Sequence, residues 1–331
     1  MSIDDIRREI DELDAAILEL LNRRAEKAIA IGRVKGQADV EVFDPARERQ
    51  ILDRLAAISK GPLTPEAVQD IYGAVFAVSR LLEKQLVVAY YGPAGSFTHI
   101  AARRQFSGGA DLQPCDAIAD VFAAVEKKDA DFGVVPIENT TAGVVPLTLD
   151  SFMESKLRVY AEIYVDIEHY LLSRCGALEE IERLYSHPQA IAQCRLWLRA
   201  NLPGVEIVPV GTTARATELA SKEPKTAAIG PALAGELHDV PALRSKIQDQ
   251  AENRTRFAVI GQSSAKPSGR DKTSLLFSVP HKAGALHTAL GVFSSHEINM
   301  TFIQSHPTKQ TQWEYMFFVD VQGHRDDPRL S

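Results

Sequence analysis

The N-terminal segment carries a single apolar stripe. Ile3, Ile6, Ile10, Leu13, Ile17 and Leu20 recur at steps of three and four, the spacing of one helix face. No proline or glycine interrupts the run before Gly32, so the pattern predicts one helix to about Lys35. At 1.5 Å per residue that helix is roughly 50 Å long. A segment of this size cannot cover so long a stripe by itself. The helix is therefore expected to pack against a second copy of itself, or against another long helix. Asp44-Pro45 sets a capping carboxylate before a proline at the first helical position, and Gly61-Pro62 closes that second helix. Thr64-Pro65-Glu66 opens a third, which is expected to run to about Leu86.

At Leu86 the pattern changes. Short β-rich runs alternate with helical stretches, with strands expected at Val87–Tyr91, Phe132–Ile137, Val159–Ile167, Ile207–Val210, Ala227–Gly230 and Arg256–Ile260. This alternation predicts an α/β domain. Ser263–Lys272 is polar, holds Pro267 and Gly269, and reads as a linker. After it come a strand at Thr273–Val279, a helix at Gly284–His296, and strands at Met300–Ser305 and Trp313–Val321. A β-α-β-β-α-β unit would need one more helix and strand, so the chain is expected to end inside its third domain. The expected domains are residues 1–86, 87–262 and 273–331, with 263–272 as linker.

Composition narrows the class. The chain has 331 residues, 45% of them hydrophobic and 24% charged, as in ordinary globular proteins. A formal net charge of −7 argues against a general nucleic-acid binder, which would carry a basic patch or stripe. Cys115, Cys175 and Cys194 are far apart and form no CxxC pair, so reduced thiols are expected, not a disulfide framework or a zinc site. Asp4, Asp5, Glu9, Asp11, Glu12 and Asp14 rule out a signal peptide at the start of this sequence, and no apolar run is long enough to span a bilayer. A soluble, cytoplasmic protein with no membrane or nucleic-acid partner is expected.

Arg24 falls where the stripe of the first helix calls for another apolar residue, and Lys35, 11 residues on, shares its face. Charges on an inward stripe are costly unless they meet an anion. The alternative is a solvated helix end with two surface cations. Further polar residues join them in order: Arg7 in IRREIDELD, Arg24 in LLNRRAE, Lys35 in GRVK, Asp44, Arg47 and Glu48 in FDPARER, and Ser79 and Glu83 in VSRLLEKQ. On these motifs residues 1–86 resemble the all-helical chorismate mutases.

That resemblance implies an intramolecular rearrangement of chorismate to prephenate, needing a near-attack geometry and stabilisation of charge on the ether oxygen. Arg24, Arg47 and a partner subunit's Arg7 would grip the carboxylates. Lys35 would donate to the ether oxygen, and Glu48 would hold the substrate hydroxyl with Asp44 and Ser79 nearby. Asp44 equally reads as a purely structural cap. Many family members carry glutamine where Glu83 stands, and some carry glutamate. An ionised acid there would repel the developing charge, so Glu83 helps only when protonated. Mutase activity is then expected to fall as pH rises, unless the site holds that proton.

In the α/β part, Gly92-Pro93-Ala94-Gly95-Ser96-Phe97-Thr98 follows a strand and precedes a helix. Its backbone amides could cradle an anion, or it could be a tight turn with a capping hydroxyl. It is neither GxGxxG nor a Walker loop, so no nucleotide is implied. Pro136–Thr141 (PIENTT) and Ser186-His187-Pro188-Gln189 are turn-like polar clusters, and His187 reads as a cap or packing residue. The most specific segment is Asn253-Arg254-Thr255-Arg256-Phe257 at the start of a strand. With GPAGSFTHIAA, PIENTT and SHPQAIAQC, it makes residues 87–262 closely similar to prephenate dehydratases.

This second resemblance implies two α/β lobes with a cleft between them, as in periplasmic binding proteins, and loss of carbon dioxide and water from prephenate. The leaving hydroxyl needs a donor beside it. Thr255 takes that role by resemblance, with Asn139, Ser186, Gln193, Ser96 and Thr98 as polar contacts to the substrate. Arg256 is left open between a substrate carboxylate and a structural ion pair, and Phe257 reads as core or cleft wall.

Gly284-Ala285-Leu286, Ile298-Asn299-Met300-Thr301 and Gln304-Ser305-His306-Pro307 are similar to an ACT regulatory domain, an α+β ferredoxin-like module. The resemblance implies phenylalanine as effector, with Gly284, Ala285, Leu286, Asn299, Gln304 and Ser305 as its contacts. The family commonly reads Glu-Ser-Arg-Pro where this chain has Gln304-Ser305-His306-Pro307. The alternative is an ACT fold kept for dimerisation. Together the three segments resemble the bifunctional chorismate mutase–prephenate dehydratases. That family implies a homodimer or larger assembly and no metal or organic cofactor. An arogenate-preferring dehydratase, or a non-catalytic small-acid receptor on a helical dimerisation domain, are the competing readings.

Overall fold

The computed structural model describes residues 2–38, 41–307 and 315–330. Trp313, where the last strand is expected to begin, lies outside the described residues. The chain divides into two compact units, residues 1–87 with 106–111, and residues 88–105 with 112–331.

The first unit holds three helices: α1 (Ile3–Ala38), α2 (Pro45–Ile58) and α3 (Pro65–Glu83). Each of the last two starts where its cap residue directs. Asp44 accepts from the Arg47 amide at 2.9 Å, Thr64 accepts from the Ala67 amide at 3.2 Å, and a proline follows each cap. The core is small, centred on Phe43, Ala46, Val68, Phe76 and Ala77, with the Phe43 and Phe106 rings 5.0 Å apart. The apolar stripe of α1 stays uncovered within the single chain, with Ile3, Leu13 and Leu20 each more than 60% exposed. Helix α3 ends three residues earlier than expected. Lys84 turns extended, and Leu86 is buried as the first residue of a strand.

Next come β1 (Leu86–Tyr91), α4 (Phe97–Phe106), β2 (Ala110–Cys115), α5 (Ile118–Glu126), β3 (Phe132–Asn139), β4 (Gly143–Val144), α6 (Pro146–Glu154) and β5 (Arg158–Asp166). The middle stretch adds β6 (Tyr170–Ser173), β7 (Arg183–Ser186), α7 (Pro188–Gln193), α8 (Arg195–Asn201), β8 (Glu206–Pro209), α9 (Thr213–Lys222), β9 (Thr226–Gly230), α10 (Ala232–His238) and β10 (Ala242–Arg244). It ends with β11 (Arg254–Gly261), β12 (Lys272–Ser278), α11 (Ala285–Ser295), β13 (Met300–Pro307) and β14 (Tyr315–Gln322).

These strands form three sheets. The first has the order β2-β1-β3-β11-β5 with β4 beside β3, the second β10-β6-β9-β7-β8, and the third β12-β14-β13. The chain leaves the first sheet after β5, builds the second, and returns so that β11 lies antiparallel between β3 and β5. Near-continuous apolar runs suit β3 and β11 to that central place, because both faces are covered. Thr255 comes to rest opposite Asn139, and Arg256 opposite Glu138, with a bulge before Phe257. The two sheets are the two α/β lobes expected.

Strands β2, β4, β6, β7 and β10 carry no clear sequence signal. Four of them have two to four residues, too few to reveal a period of two. The fifth, β2, is a largely exposed edge strand holding Pro114. In the third sheet the first strand begins one residue inside the expected linker, at Lys272.

Candidate active sites

In the helical unit, the close approach of α1 to α3 sets the geometry. A Cβ on Gly32 would lie 2.8 Å from the Glu83 Cα, so only glycine lets the helices meet there. Ser79 and Glu83 are four apart on one face of α3. Arg24 of α1 donates through Nη1 to Ser79 Oγ, and its guanidinium lies 5.6 Å from the Phe76 ring. Lys35 Nζ sits 3.0 Å from Glu83 Oε2 and 3.0 Å from the Val42 carbonyl. Glu48, in the first turn of α2, pairs with the buried Arg80 of α3. Burial pushes the Glu48 carboxyl above its usual range, with Arg80 acting in the opposite sense.

Asp44 acts as the α2 cap, and Arg47, next to the buried Ala46 in the first turn, is exposed. Arg7 does not join the group. It is exposed, pairs with Asp4 at 3.5 Å, and lies about 25 Å back along α1. The group that does assemble is two cations of α1 against the hydroxyl and carboxylate of α3, beside the Glu48–Arg80 pair.

In the second unit, Asn139 is the hub. Its Oδ1 accepts from the backbone amides of Thr141 (3.0 Å) and Ala142 (2.9 Å) and from Thr141 Oγ1 (2.7 Å). Two backbone donors fix the orientation of the side-chain amide. Its Nδ2 must then point at β11, where it donates to Thr255 Oγ1 at 2.8 Å and Asn253 Oδ1 at 2.7 Å. Because Thr255 Oγ1 accepts from Asn139, the threonine's own proton is left to be given elsewhere. From the second lobe, Gln193 Nε2 donates to Thr141 Oγ1 at 2.7 Å. His169 Nε2 lies 2.8 Å from Gln193 Oε1, which must act as acceptor, so this nitrogen carries the proton. Burial holds the His169 pKa below the ordinary histidine range.

Other expected contacts lie elsewhere. Ser186 is fully buried, and its hydroxyl is engaged by the Ile229 carbonyl at 2.8 Å inside the second sheet. In the Gly92–Thr98 loop three amides turn inward: Gly92 to the Cys115 carbonyl, Gly95 to His99 Nδ1, Ser96 to the Pro93 carbonyl. Ser96 Oγ accepts from the His99 amide at 3.2 Å, Thr98 is buried, and a Cβ on Gly95 would lie 3.0 Å from Ala234 Cα. His187 caps α7 by accepting from the Gln189 amide at 3.2 Å, and Phe257 is core.

Family models match all three segments: chorismate mutase type II over residues 6–84, prephenate dehydratase over 88–265, and the ACT domain over 273–330. A bifunctional chorismate mutase/prephenate dehydratase of Aquifex aeolicus is 44% identical, with 99% of this chain and 91% of that protein covered. The chain belongs to the bifunctional chorismate mutase/prephenate dehydratase family. A second member, from Pseudomonas aeruginosa, is 40% identical, with 98% of this chain and 91% of that protein covered. Among solved structures, the prephenate dehydratase of Arthrobacter aurescens in complex with L-Phe is 33% identical with a TM-score of 0.68, covering 74% of this chain and 83% of that one.

The dehydratase and ACT domains meet at Arg256. Its buried guanidinium pairs with Glu162 of β5 at 2.8 Å, Glu138 of β3 at 3.3 Å and the buried Asp320 of β14, and lies 4.8 Å from the Phe302 ring. Lys272 joins through Glu162 at 2.8 Å, and Ser274 donates to Asp320 at 2.6 Å. Burial works to lower the Arg256 pKa, but Asp320, Glu162 and Glu138 raise it above the ordinary arginine range. The structure thus places Arg256 in an ion cluster. A cavity of about 1210 Å³ is lined by Arg256 and Glu162 together with Phe302 and Asp320 of the ACT sheet.

Within the ACT domain, Gly284 takes φ +81° to start α11, Ala285 is buried behind it and Leu286 is half-buried. Asn299 is exposed just before β13, while Gln304 and Ser305 lie on that strand, Gln304 donating to the Ser305 carbonyl at 2.9 Å. His306 is buried and sits 2.8 Å from Asp150 of α6. Sequence reasoning missed Arg80, Thr141, His169 and the carboxylates around Arg256. Arg80 lies within VSRLLEKQ, and Glu138 and Thr141 within PIENTT, segments singled out for other residues, but the partners Glu48, Arg256 and Gln193 lie far off in the chain. Among the described residues, no group of three or more His, Cys, Asp or Glu is placed to hold a metal ion, and no helix is long and apolar enough to cross a membrane.

Two outcomes follow from this geometry. Gly32→Ala should lower mutase turnover about tenfold or more, by prising Lys35 from Glu83, with dehydratase turnover retained; steady-state assays of both activities check this. Arg256→Met should destabilise the second unit by about 3 kcal/mol, because it leaves the buried Asp320 carboxylate without its cation; urea unfolding measures it.

Proposed function

We propose that the chain rearranges chorismate to prephenate in its helical domain and converts prephenate to phenylpyruvate in its α/β domain. In the first step the substrate reacts within itself, so the protein's work is to hold one conformation and to meet charge as it develops. Arg24 and Arg47 bind carboxylates, together with the partner subunit's Arg7. The uncovered stripe of α1 supports such a partner, since a second copy would bury it and carry its own Arg7 across. Lys35 serves the ether oxygen, with Glu83 beside it. Glu48 receives the substrate hydroxyl, near Asp44 and Ser79.

In the second step the ring carboxylate leaves as carbon dioxide. Its bonding electrons enter the ring, the ring becomes aromatic, and the C–O electrons depart with the hydroxyl, which takes a proton and leaves as water. Thr255 is the residue we assign to that proton, as donor or relay. A threonine hydroxyl is a poor acid, so it must be positioned and polarised. The single observation that carries this reading is the Asn139 Nδ2 to Thr255 Oγ1 hydrogen bond at 2.8 Å, in which the threonine oxygen accepts and its own proton is left to be given elsewhere. Gln193 acts from the second lobe through Thr141, and Ser96 and Thr98 shape the loop beside the first.

Phenylalanine is the effector we propose. The L-Phe complex of the Arthrobacter aurescens dehydratase supports it, with Gly284, Ala285, Leu286, Asn299, Gln304 and Ser305 as the contacting residues. A cytoplasmic homodimer is the proposed working form, supported by the free thiols of Cys115, Cys175 and Cys194 and by the α1 stripe.

Thr255→Val tests the dehydratase assignment. It should abolish phenylpyruvate formation while mutase turnover stays intact, and equal loss of both activities, or of neither, would contradict it. Glu83→Gln tests the acid beside Lys35. The glutamine variant loses the ion pair to Lys35, so mutase kcat/KM should change while dehydratase turnover is unmoved; unchanged mutase kinetics would contradict that role. Subunit exchange tests the shared site. Arg7→Ala and Arg24→Ala chains, each inactive alone, should recover up to about a quarter of mutase activity when mixed, because one site of a mixed dimer is whole.

A further inference from the structure

We propose that Arg80 is a positioning residue of the mutase site, holding the Glu48 carboxylate in the one orientation that leaves an oxygen free for the substrate. The inference rests on the reading of Glu48 as the group that receives the substrate hydroxyl.

The observation behind it is how firmly Arg80 is itself held. Its side chain is only 5% exposed. Nη1 donates to Glu48 Oε1, Nη2 donates to the Phe106 carbonyl at 3.3 Å, and the guanidinium lies 5.5 Å from the Phe43 ring. A planar fork with two donors engaged and an aromatic wall cannot swing. It therefore fixes Oε1 of Glu48, whose side chain is 23% exposed, and leaves Oε2 as the acceptor. Glutamate has a flexible stem, and without this anchor it would sample other rotamers during a reaction that rewards preorganisation.

Electrostatics points the same way. Burial, Asp44 and Glu83 all push the Glu48 carboxyl toward its neutral form, and Arg80 opposes them. Lys35 enters through its pair with Glu83. Without Arg80 the carboxyl would take up its proton at higher pH. Since an acceptor must be ionised to work best, the acid limb of the mutase profile would then move upward in pH.

The test is a double-mutant cycle on the full-length chain, with mutase kcat and KM read across pH and prephenate turnover as a control for folding. Glu48→Gln should cut mutase kcat/KM about tenfold or more. Arg80→Met should do the same, chiefly in kcat, and shift the acid limb upward. In the Glu48→Gln background, Arg80→Met should cost far less and leave the profile unmoved. Arg80→Gln, which keeps one donor, should be intermediate and serves if Arg80→Met does not fold. Equal Arg80 losses in both backgrounds, or an unshifted acid limb, would overturn the positioning role while leaving Glu48 in the site. An unimpaired Glu48→Gln would overturn the site reading itself, and the inference with it.

Discussion

The hydrogen bond from Asn139 to Thr255 depends on a long detour of the chain. The two residues are 116 positions apart, and between them the protein builds the whole second lobe. Only when β11 returns between β3 and β5 does the threonine reach the asparagine. The register is protected because a one-residue slip would turn every side chain over, carrying Thr255 away from Asn139 and the buried Arg256 away from its carboxylates. The hub amide cannot flip either, since two backbone donors hold its oxygen. In the proposed mechanism a weak acid is thus presented by rigid elements, so that a hydroxyl of ordinary acidity takes part in proton transfer.

The same strand serves a second purpose through the alternation of its side chains. Thr255 meets Asn139, while its neighbour Arg256 meets Asp320 and Phe302 of the ACT domain. The contact between the domains is therefore one residue from the threonine. Two cations, Arg256 and Lys272, lie among three carboxylates. Such a cluster is sensitive to small displacements, because breaking a buried pair costs far more than forming it gains. The His306–Asp150 contact gives the ACT sheet a further attachment, to α6.

What the sequence reveals follows the range of the interactions. The α1 stripe and the Asp44 and Thr64 caps are local, and they stand in the structure where the pattern puts them. The central strands β1, β3 and β11 are long enough to be read. The two- and three-residue strands β4 and β10 are not, and Leu86 shows how an apolar helix end and a buried strand start look alike. At the candidate sites, residue types within motifs were legible but partners were not. Arg80 finds Glu48 at 32 positions' distance, and Arg256 finds Glu162 at 94. Packing adds what the motifs leave open: Arg256 sits among Asp320, Glu162 and Glu138, and the Gly92, Gly95 and Ser96 amides turn inward. Ser186 shows the opposite case, a polar residue in a site-like motif whose hydroxyl satisfies the sheet.

The central claim is that one chain carries two consecutive reactions, the second depending on the Asn139–Thr255 pair. The most direct measurement is a time course of the purified chain with chorismate alone, quantifying prephenate and phenylpyruvate together. Prephenate should rise first, and phenylpyruvate should follow after a lag at prephenate's expense. Prephenate that accumulates with no phenylpyruvate would contradict the account of the second site, and unconsumed chorismate would contradict that of the first.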